Sequence, residues 1–420
     1  MLPESAVRGG PVLAFTPARE SVERSMNMRD GRVVTQVVRH AGSSGGPLPP
    51  QPEQRYINGW LRERERPQGD GPSFRVVDLF SGCGGLSLGI DEAVRATGRK
   101  PVSALALDMN HDALGVYSRN FAPEHAIASS IDSVIDRAVG DALSQTERTF
   151  QEMSGPTDML IGGPPCQGNS DLNNHTRRND PRNELYFSLV RAAEILSPRY
   201  VIIENVPGVL RAKNRAVQRS TESLEGMGYK VHSLTLNSHA FGSPQSRKRH
   251  FLAAIREPQE QLSPEVIEEN FAVPPQNLLD AIEDLGVKPD KGVFDTSARH
   301  SSENQARMEY LLRNDVWELP NSLRPACHRD RAHSYNSVYG RMYPDRPAPT
   351  ITSGFGSTGQ GRFMHPYEAR TLTPHEAARV QGFPDSFDFS SVKHRRALQT
   401  MIGNAVPSQL GFALAAEMIR

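Results

Sequence analysis

From Phe74 to Ile255, short apolar runs alternate with amphipathic stretches, separated by turns rich in glycine, proline and aspartate. Arg75–Phe80 is a β-branched strand, Ser81–Gly85 a turn, and Leu86–Ala96 an amphipathic helix. Val102–Leu107 is a second strand ending at Asp108, followed by a helix over Asp112–Phe121. Asp158–Ile161 predicts a short buried strand, and Arg182–Leu196 a helix with Leu185, Leu189 and Ile195 apolar. Tyr200–Glu204, Lys230–Leu236 and His250–Ile255 read as strands, and Ala216–Gly226 as a helix. Strands spaced by helices predict an α/β fold with a doubly wound, mostly parallel, Rossmann-like sheet.

The rest of the chain divides around this core. With 420 residues there is room for one large α/β domain and a smaller one. Residues 1–73 are rich in Pro, Gly, Ser and Arg, Ala41–Pro52 has linker composition, and the segment is expected to be a mostly disordered arm. Its arginines are nearly offset by acidic residues, which argues against a basic DNA-contacting arm. The α/β core is expected over 74–257. After it the regularity fades: 258–345 is charged and irregular, with helices at Asn304–Arg313 and Pro275–Leu285, and predicts a small inserted domain. The chain returns to the core over 346–420, through Ala348–Thr352, Pro374–Gln381 and a last helix, Ser408–Ile419. No apolar run approaches the roughly 18 residues of a membrane helix, and no secretory signal is visible, so a cytoplasmic protein is expected. Three cysteines, Cys83, Cys166 and Cys327, make no disulfide framework and lack zinc-site spacing. The formal net charge is zero, so any nucleic-acid signal must be local.

Four stretches can carry chemistry. In Asp158–Ser170 two glycines and two prolines stop a buried strand just before Cys166, a break that holds a side chain at the open carboxyl edge of a sheet. A lone cysteine is more often buried and inert. Prolines and glycines, however, do not build the helix or strand interior that would bury it. A thiolate held there is a nucleophile. Asp78–Gly85 has the shape of a nucleotide-binding turn, with Asp108 placed to meet ribose hydroxyls. Its glycine spacing departs from GxGxxG and suits an adenosine ligand without a pyrophosphate; a tight turn without ligand is the alternative. Glu204, closing an apolar strand, is either a carboxyl whose pKa burial raises or a capping or salt-bridged residue. Gln245–Arg249 places two arginines on one side of an extended segment, suited to phosphates or to a neighbouring carboxylate, or simply a solvated face.

Taken together, DLFSGCGGLSLG, GGPPCQG, ENV, QSRKR, RPAPTIT and GNAVP stand in an order that resembles the cytosine-5 DNA methyltransferase family, over about Phe74–Arg420. The resemblance implies a class I methyltransferase fold with a small target-recognition domain at 258–345. It implies S-adenosylmethionine as cofactor, no metal, and double-stranded DNA as substrate. Cys166 would attack carbon 6 of a flipped cytosine, Glu204 would contact ring nitrogen 3 and the exocyclic amine, and Arg249, beside Arg247, would support the base. The cofactor pocket would be lined by Asp78, Phe80, Ser81, Gly82, Gly84, Gly85, Leu86, Asp108, Met109, Pro164, Leu185, Asn404, Ala405 and Val406. DNA contacts are expected from Gln167, Ser170, Gln245, Arg324, Arg329, Arg331 and Arg341, with Lys393–Arg396 a further candidate. Two departures stand out. Ser130-Ile131-Asp132 occupies the place of the family's adenine-binding acid, and Asn169 replaces its usual Phe. A transfer-RNA cytosine-5 methyltransferase and a catalytically silent DNA-binding regulator are the alternatives. A monomer, with a cognate restriction endonuclease in the same cell, is the expected setting.

Overall fold

The computed structural model describes residues 11–18, 20–39, 51–63, 69, 71–165, 185–212, 215–256, 262–286, 292–329 and 337–420. In chain order the N-terminal elements are β1 (Leu13–Pro17), β2 (Ser21–Asn27), β3 (Val33–Arg39) and α1 (Pro52–Leu61). The core then runs β4 (Ser73–Leu79), α2 (Gly85–Ala96), β5 (Lys100–Leu107), α3 (His111–Phe121), β6 (His125–Ile127), α4 (Gln145–Ser154) and β7 (Met159–Gly162). It continues through α5 (Leu185–Leu196), β8 (Tyr200–Asn205), α6 (Ala216–Gly226), β9 (Lys230–Asn237) and β10 (Lys248–Ile255). Beyond these come α7 (Pro264–Phe271), α8 (Leu278–Ile282), α9 (Ser302–Arg313), α10 (Pro374–Val380), α11 (Arg395–Asn404) and α12 (Ser408–Ile419).

The central sheet has seven strands in the order β6-β5-β4-β7-β8-β10-β9. From β6 to β8 every pairing is parallel. β10 runs antiparallel to both β8 and β9, a reversal that the alternation of strands and helices does not reveal. Side chains alternate across each strand. Val76, Ile161, Ile202 and Phe251 therefore join one core with α2 and α12. Val77, Leu160, Val201 and Leu252 join the other, with α5 and α6. The doubly wound expectation holds.

Two expectations about the flanks are corrected. The N-terminal region is not a disordered arm where it is described: β1, β2 and β3 form an antiparallel sheet. On β2 the inward positions are Val22, Arg24 and Met26. Arg24 can be buried because Glu92 of α2 pairs with it at 2.6 Å and the rings of Tyr56 and Phe412 lie 4.7 and 4.5 Å from its guanidinium. Arg29 pairs with Glu417 of α12 at 2.6 Å, tying the small sheet to the core. The core also does not change at residue 258. Ile267 and Phe271 of α7 pack in the cluster that holds α12, and α8 packs with α10. A separate cluster begins with α9: Met308, Leu311, Leu319, Val338, Tyr339 and Met364. Among the described residues no helix is long and apolar enough to cross a membrane.

Candidate active site

Leu79, Gly162 and Ile203 are register partners on β4, β7 and β8. Phe80, Gly163 and Glu204 therefore reach the carboxyl edge side by side, and two strand spacings put the first and last roughly 10 Å apart. β5 lies on one side of β4 and β7 on the other. This reversal is where open α/β sheets hold ligands.

The loop after β4 is strained and closely packed. Phe80 has φ 65° and Gly82 φ 55°; a non-glycine residue there carries strain of the kind found at functional sites. Asp108 clamps the loop: its Oδ2 accepts from the Gly82 N–H and its Oδ1 from the Asn110 N–H, both at 2.8 Å. A Cβ on Gly85 would lie 2.6 Å from the Val406 carbonyl oxygen, so Asn404–Val406 is drawn against this loop from the end of the chain. Phe80 and Leu185 pack on one cluster. Leu86 is buried, while Met109 and Asn404 are exposed. The Ser81 Oγ is buried with no hydrogen-bond partner, and a Cβ on Gly82 would point into open space. An unsatisfied buried hydroxyl beside an open backbone cradle fits a small polar ligand such as the adenosine sulfonium implied by the sequence. Asp78 does not fit that role. It is 2% exposed and accepts from the Ser87 Oγ at 2.5 Å, bracing α2; burial pushes its carboxyl pKa up to about 8. The nearby Cys83 thiol is likewise raised to about 12 by burial, which leaves it inert.

The second half of the site is built on β8 and β10. Because the two strands are antiparallel, the end of β8 meets the start of β10: Phe251 pairs with Glu204, and Arg249 lies just before it. Arg249 Nε donates to Glu204 Oε1 at 2.8 Å. Glu204 is 8% exposed; its burial raises the carboxyl pKa, while the charges of Arg249 and Arg247 and the hydrogen bond from Arg249 oppose the rise. The carboxyl is thus able to hold a proton without losing its counter-charge. Arg247 is also spent on the backbone. Its guanidinium donates to the Ile351 carbonyl and, at 2.9 Å, to that of Gly403, locking the returning chain while its charge still acts on Glu204. Asn205, to which the sequence assigns no role, donates from Nδ2 to the Pro164 carbonyl at 3.3 Å, and its Oδ1 accepts from the Val206 N–H at 2.9 Å. It fastens the Gly163–Pro165 loop to β8. The Tyr186 hydroxyl is buried with no partner, within the field of Glu204.

Cys166, Gln167, Asn169, Ser170 and Arg331 lie outside the described residues. Two expected DNA contacts are corrected. Gln245 is fully buried and spends its amide on Val380, Gln381 and Ile351. Arg341 is 3% exposed, bonded to the carbonyls of Pro366 and Leu311, and stacked over Trp317 at 4.1 Å. Both are framework residues: polar, but with every reach directed inward. Arg324 is half-buried and Arg329 exposed, each donating to carbonyls of its own loop. Arg395 donates to the Val293 carbonyl at 3.1 Å. Ser130 and Asp132 are both exposed at the turn after β6. Among the described residues no group of His, Cys, Asp and Glu could hold a metal ion.

A family model described as C-5 cytosine-specific DNA methylase matches residues 74–420. The chain is 46% identical over 367 residues to the Type II methyltransferase M1.BsuMI of Bacillus subtilis, covering 87% of this chain and 85% of that protein. It is 31% identical to the Type II methyltransferase M.DdeI of Desulfomicrobium norvegicum, over 81% of this chain and 87% of the other. In fold it is similar to a prophage-encoded DNA modification methyltransferase of E. coli, at 24% identity and TM-score 0.56, covering 82% of this chain and 98% of that one.

Proposed function

The chain belongs to the C-5 cytosine-specific DNA methylase family, and from that premise we propose that it methylates carbon 5 of a flipped cytosine in a specific DNA sequence, with Cys166 as nucleophile. The observation that carries the assignment of residues is the row Phe80, Gly163, Glu204 at one sheet edge, with Cys166 three residues beyond Gly163 in the sequence. Phe80–Leu86, Asp108, Met109 and Asn404–Val406 would hold S-adenosylmethionine, which supplies an electrophilic methyl group.

The Cys166 thiolate adds to carbon 6 of the base, and electron density moves onto the ring towards nitrogen 3. Glu204, its pKa raised by burial, donates a proton or hydrogen bond there. Arg249 keeps that carboxyl in place and offers its remaining donors to the base. Carbon 5, now nucleophilic, would take the methyl group, with S-adenosylhomocysteine as the leaving product; loss of the carbon 5 proton to water then restores the carbon 5–carbon 6 double bond and expels the thiolate. Asn205 and Gly163 position the cysteine loop against Glu204. The base leaves the duplex at a cost of a few kcal/mol, offset by contacts in the pocket.

The separate cluster around α9, with Arg324 and Arg329 nearby, is proposed as the target-recognition unit. The Type II designation of both relatives supports a role beside a partner endonuclease; we propose that the chain acts as a monomer in the cytoplasm. Duplex DNA with 5-fluorocytosine, given with S-adenosylmethionine, should become covalently captured at Cys166, and Cys166→Ser should bind DNA without methylating it. Absence of capture in every sequence context, or labelling of transfer RNA instead of DNA, would overturn this reading.

A further inference from the structure

Away from the carboxyl edge, the N-terminal sheet leaves one strand open along its outer side. The sheet order is β1-β2-β3, so β1 and β3 are its edges. β1 has five residues and ends in Pro17, which has no N–H to donate. β3 has seven, VVTQVVR, with no proline or lysine to blunt it. Alternate residues of β3 turn their N–H and C=O away from β2. Among the described residues no backbone group pairs with Val33–Val38 from that side. Val33 and Val37 are 58% and 55% exposed.

A groove of about 440 Å³ runs beside this edge. Val34, Gln36 and Val38 are the more buried positions of β3, and Thr35 and Val37 the exposed ones, yet all five line the groove. Residues of both faces meet one groove only along the edge of a strand. Gly69, Gly71 and Gly98 line it too, presenting backbone without side chains. Its charged groups are mostly spent. Arg95 pairs with Asp91 at 3.0 Å, Glu92 with Arg24 at 2.6 Å, and the Arg99 guanidinium lies 5.6 Å from the Phe74 ring. Glu63 has no ion pair or side-chain hydrogen bond among the described residues. Burial, then the nearby Glu92, pushes its carboxyl up to about 7 against the pull of Arg24, so a cation entering the groove would stabilise its charged form. A second copy of β3 would not supply that cation: its single basic residue, Arg39, stands at the strand end on the exposed face. We propose that β3 is a docking edge for an extended segment of another protein, which adds as a fourth strand and directs a lysine or arginine to Glu63. Main-chain hydrogen bonds would supply affinity, and the basic side chain selectivity.

The test titrates the full chain with a fluorescein-labelled peptide of alternating valine and threonine carrying one central lysine, read by fluorescence anisotropy. Saturable binding is expected, weakened about fivefold or more by Glu63→Gln in the chain or by glutamate for lysine in the peptide. Val37→Lys, at an exposed position, places a charge on the edge and should weaken binding by a similar factor. Hydrogen exchange of the β3 amides should slow about fivefold or more under saturating peptide, a change that binding elsewhere on the molecule would not produce. Sedimentation of the chain alone should give a monomer at every concentration. No saturable binding, equal affinity in Glu63→Gln, unchanged exchange in β3, or a concentration-dependent dimer that Val37→Lys abolishes would each overturn the proposal, the last by giving the edge to a second copy.

Discussion

Gly163→Ala probes the active site where the loop leading to Cys166 meets Glu204. A Cβ at residue 163 would sit 2.9 Å from Glu204 Oε2, whereas ordinary contact begins near 3.4 Å. Glu204 cannot swing freely, because its other oxygen is held at 2.8 Å by Arg249. Relief therefore requires a displacement of about half an ångström, in the carboxyl or in the loop leading to Cys166. Misplacement of about 1 Å at a reacting centre can cost on the order of 100-fold, so a loss of about 10- to 100-fold in kcat is expected, or roughly 1.4–2.7 kcal/mol on the barrier. Stability should barely move: the new side chain gains about 0.4–1 kcal/mol by restricting the unfolded chain, and the tight contact offsets part of it. Single-turnover methylation of a duplex under saturating cofactor, beside a urea melt, separates the two. Gly162→Ala is the contrast, because its Cβ would lie 2.5 Å from the Leu79 carbonyl oxygen, part of the β4 backbone. There the penalty of about 1–3 kcal/mol should fall on stability. A Gly163→Ala enzyme within twofold of wild-type kcat would refute the placement of Glu204 beside the cysteine loop.

Other outcomes are expected from the same geometry. Gly85→Ala pushes on the Val406 carbonyl oxygen from 2.6 Å; calorimetry should show S-adenosylmethionine affinity reduced by about tenfold or more, roughly 1.4 kcal/mol. Arg249→Met removes the partner of a buried carboxyl and should lower the rate of methyl transfer by about 100- to 1,000-fold, with duplex binding by gel shift retained. Asp78 has its pKa raised by burial from 3.8 to about 8. The folded state therefore holds this proton more tightly than the unfolded chain, and the associated stability is full below about pH 4 and is lost as pH rises towards 8. Asp78→Asn mimics the protonated form, so its stability relative to wild type should climb across that window by about 2–5 kcal/mol. Denaturant melts at pH 5 and pH 8 giving the same difference would exclude this.

What the sequence determined by itself was local. Alternating strands and helices, glycine turns after Leu79 and before Gly85, and the arrest of β7 by Gly163-Pro164-Pro165 follow from backbone sterics, which each residue carries with it. These placed the cofactor loop, the cysteine loop and Glu204 at strand ends. Tertiary structure decided which polar groups found partners. Arg24, in a strand whose composition suggested disorder, is inward because Glu92 and two aromatic rings receive it. Gln245 and Arg341 carry the side chains of DNA-reading residues yet are consumed by carbonyls distant in the chain. Arg249 reaches Glu204 only because β10 runs against β8, and no periodicity records a strand's direction. A side chain's chemistry is written at its own position, but whether that chemistry is spent or free depends on neighbours that folding brings from elsewhere in the chain.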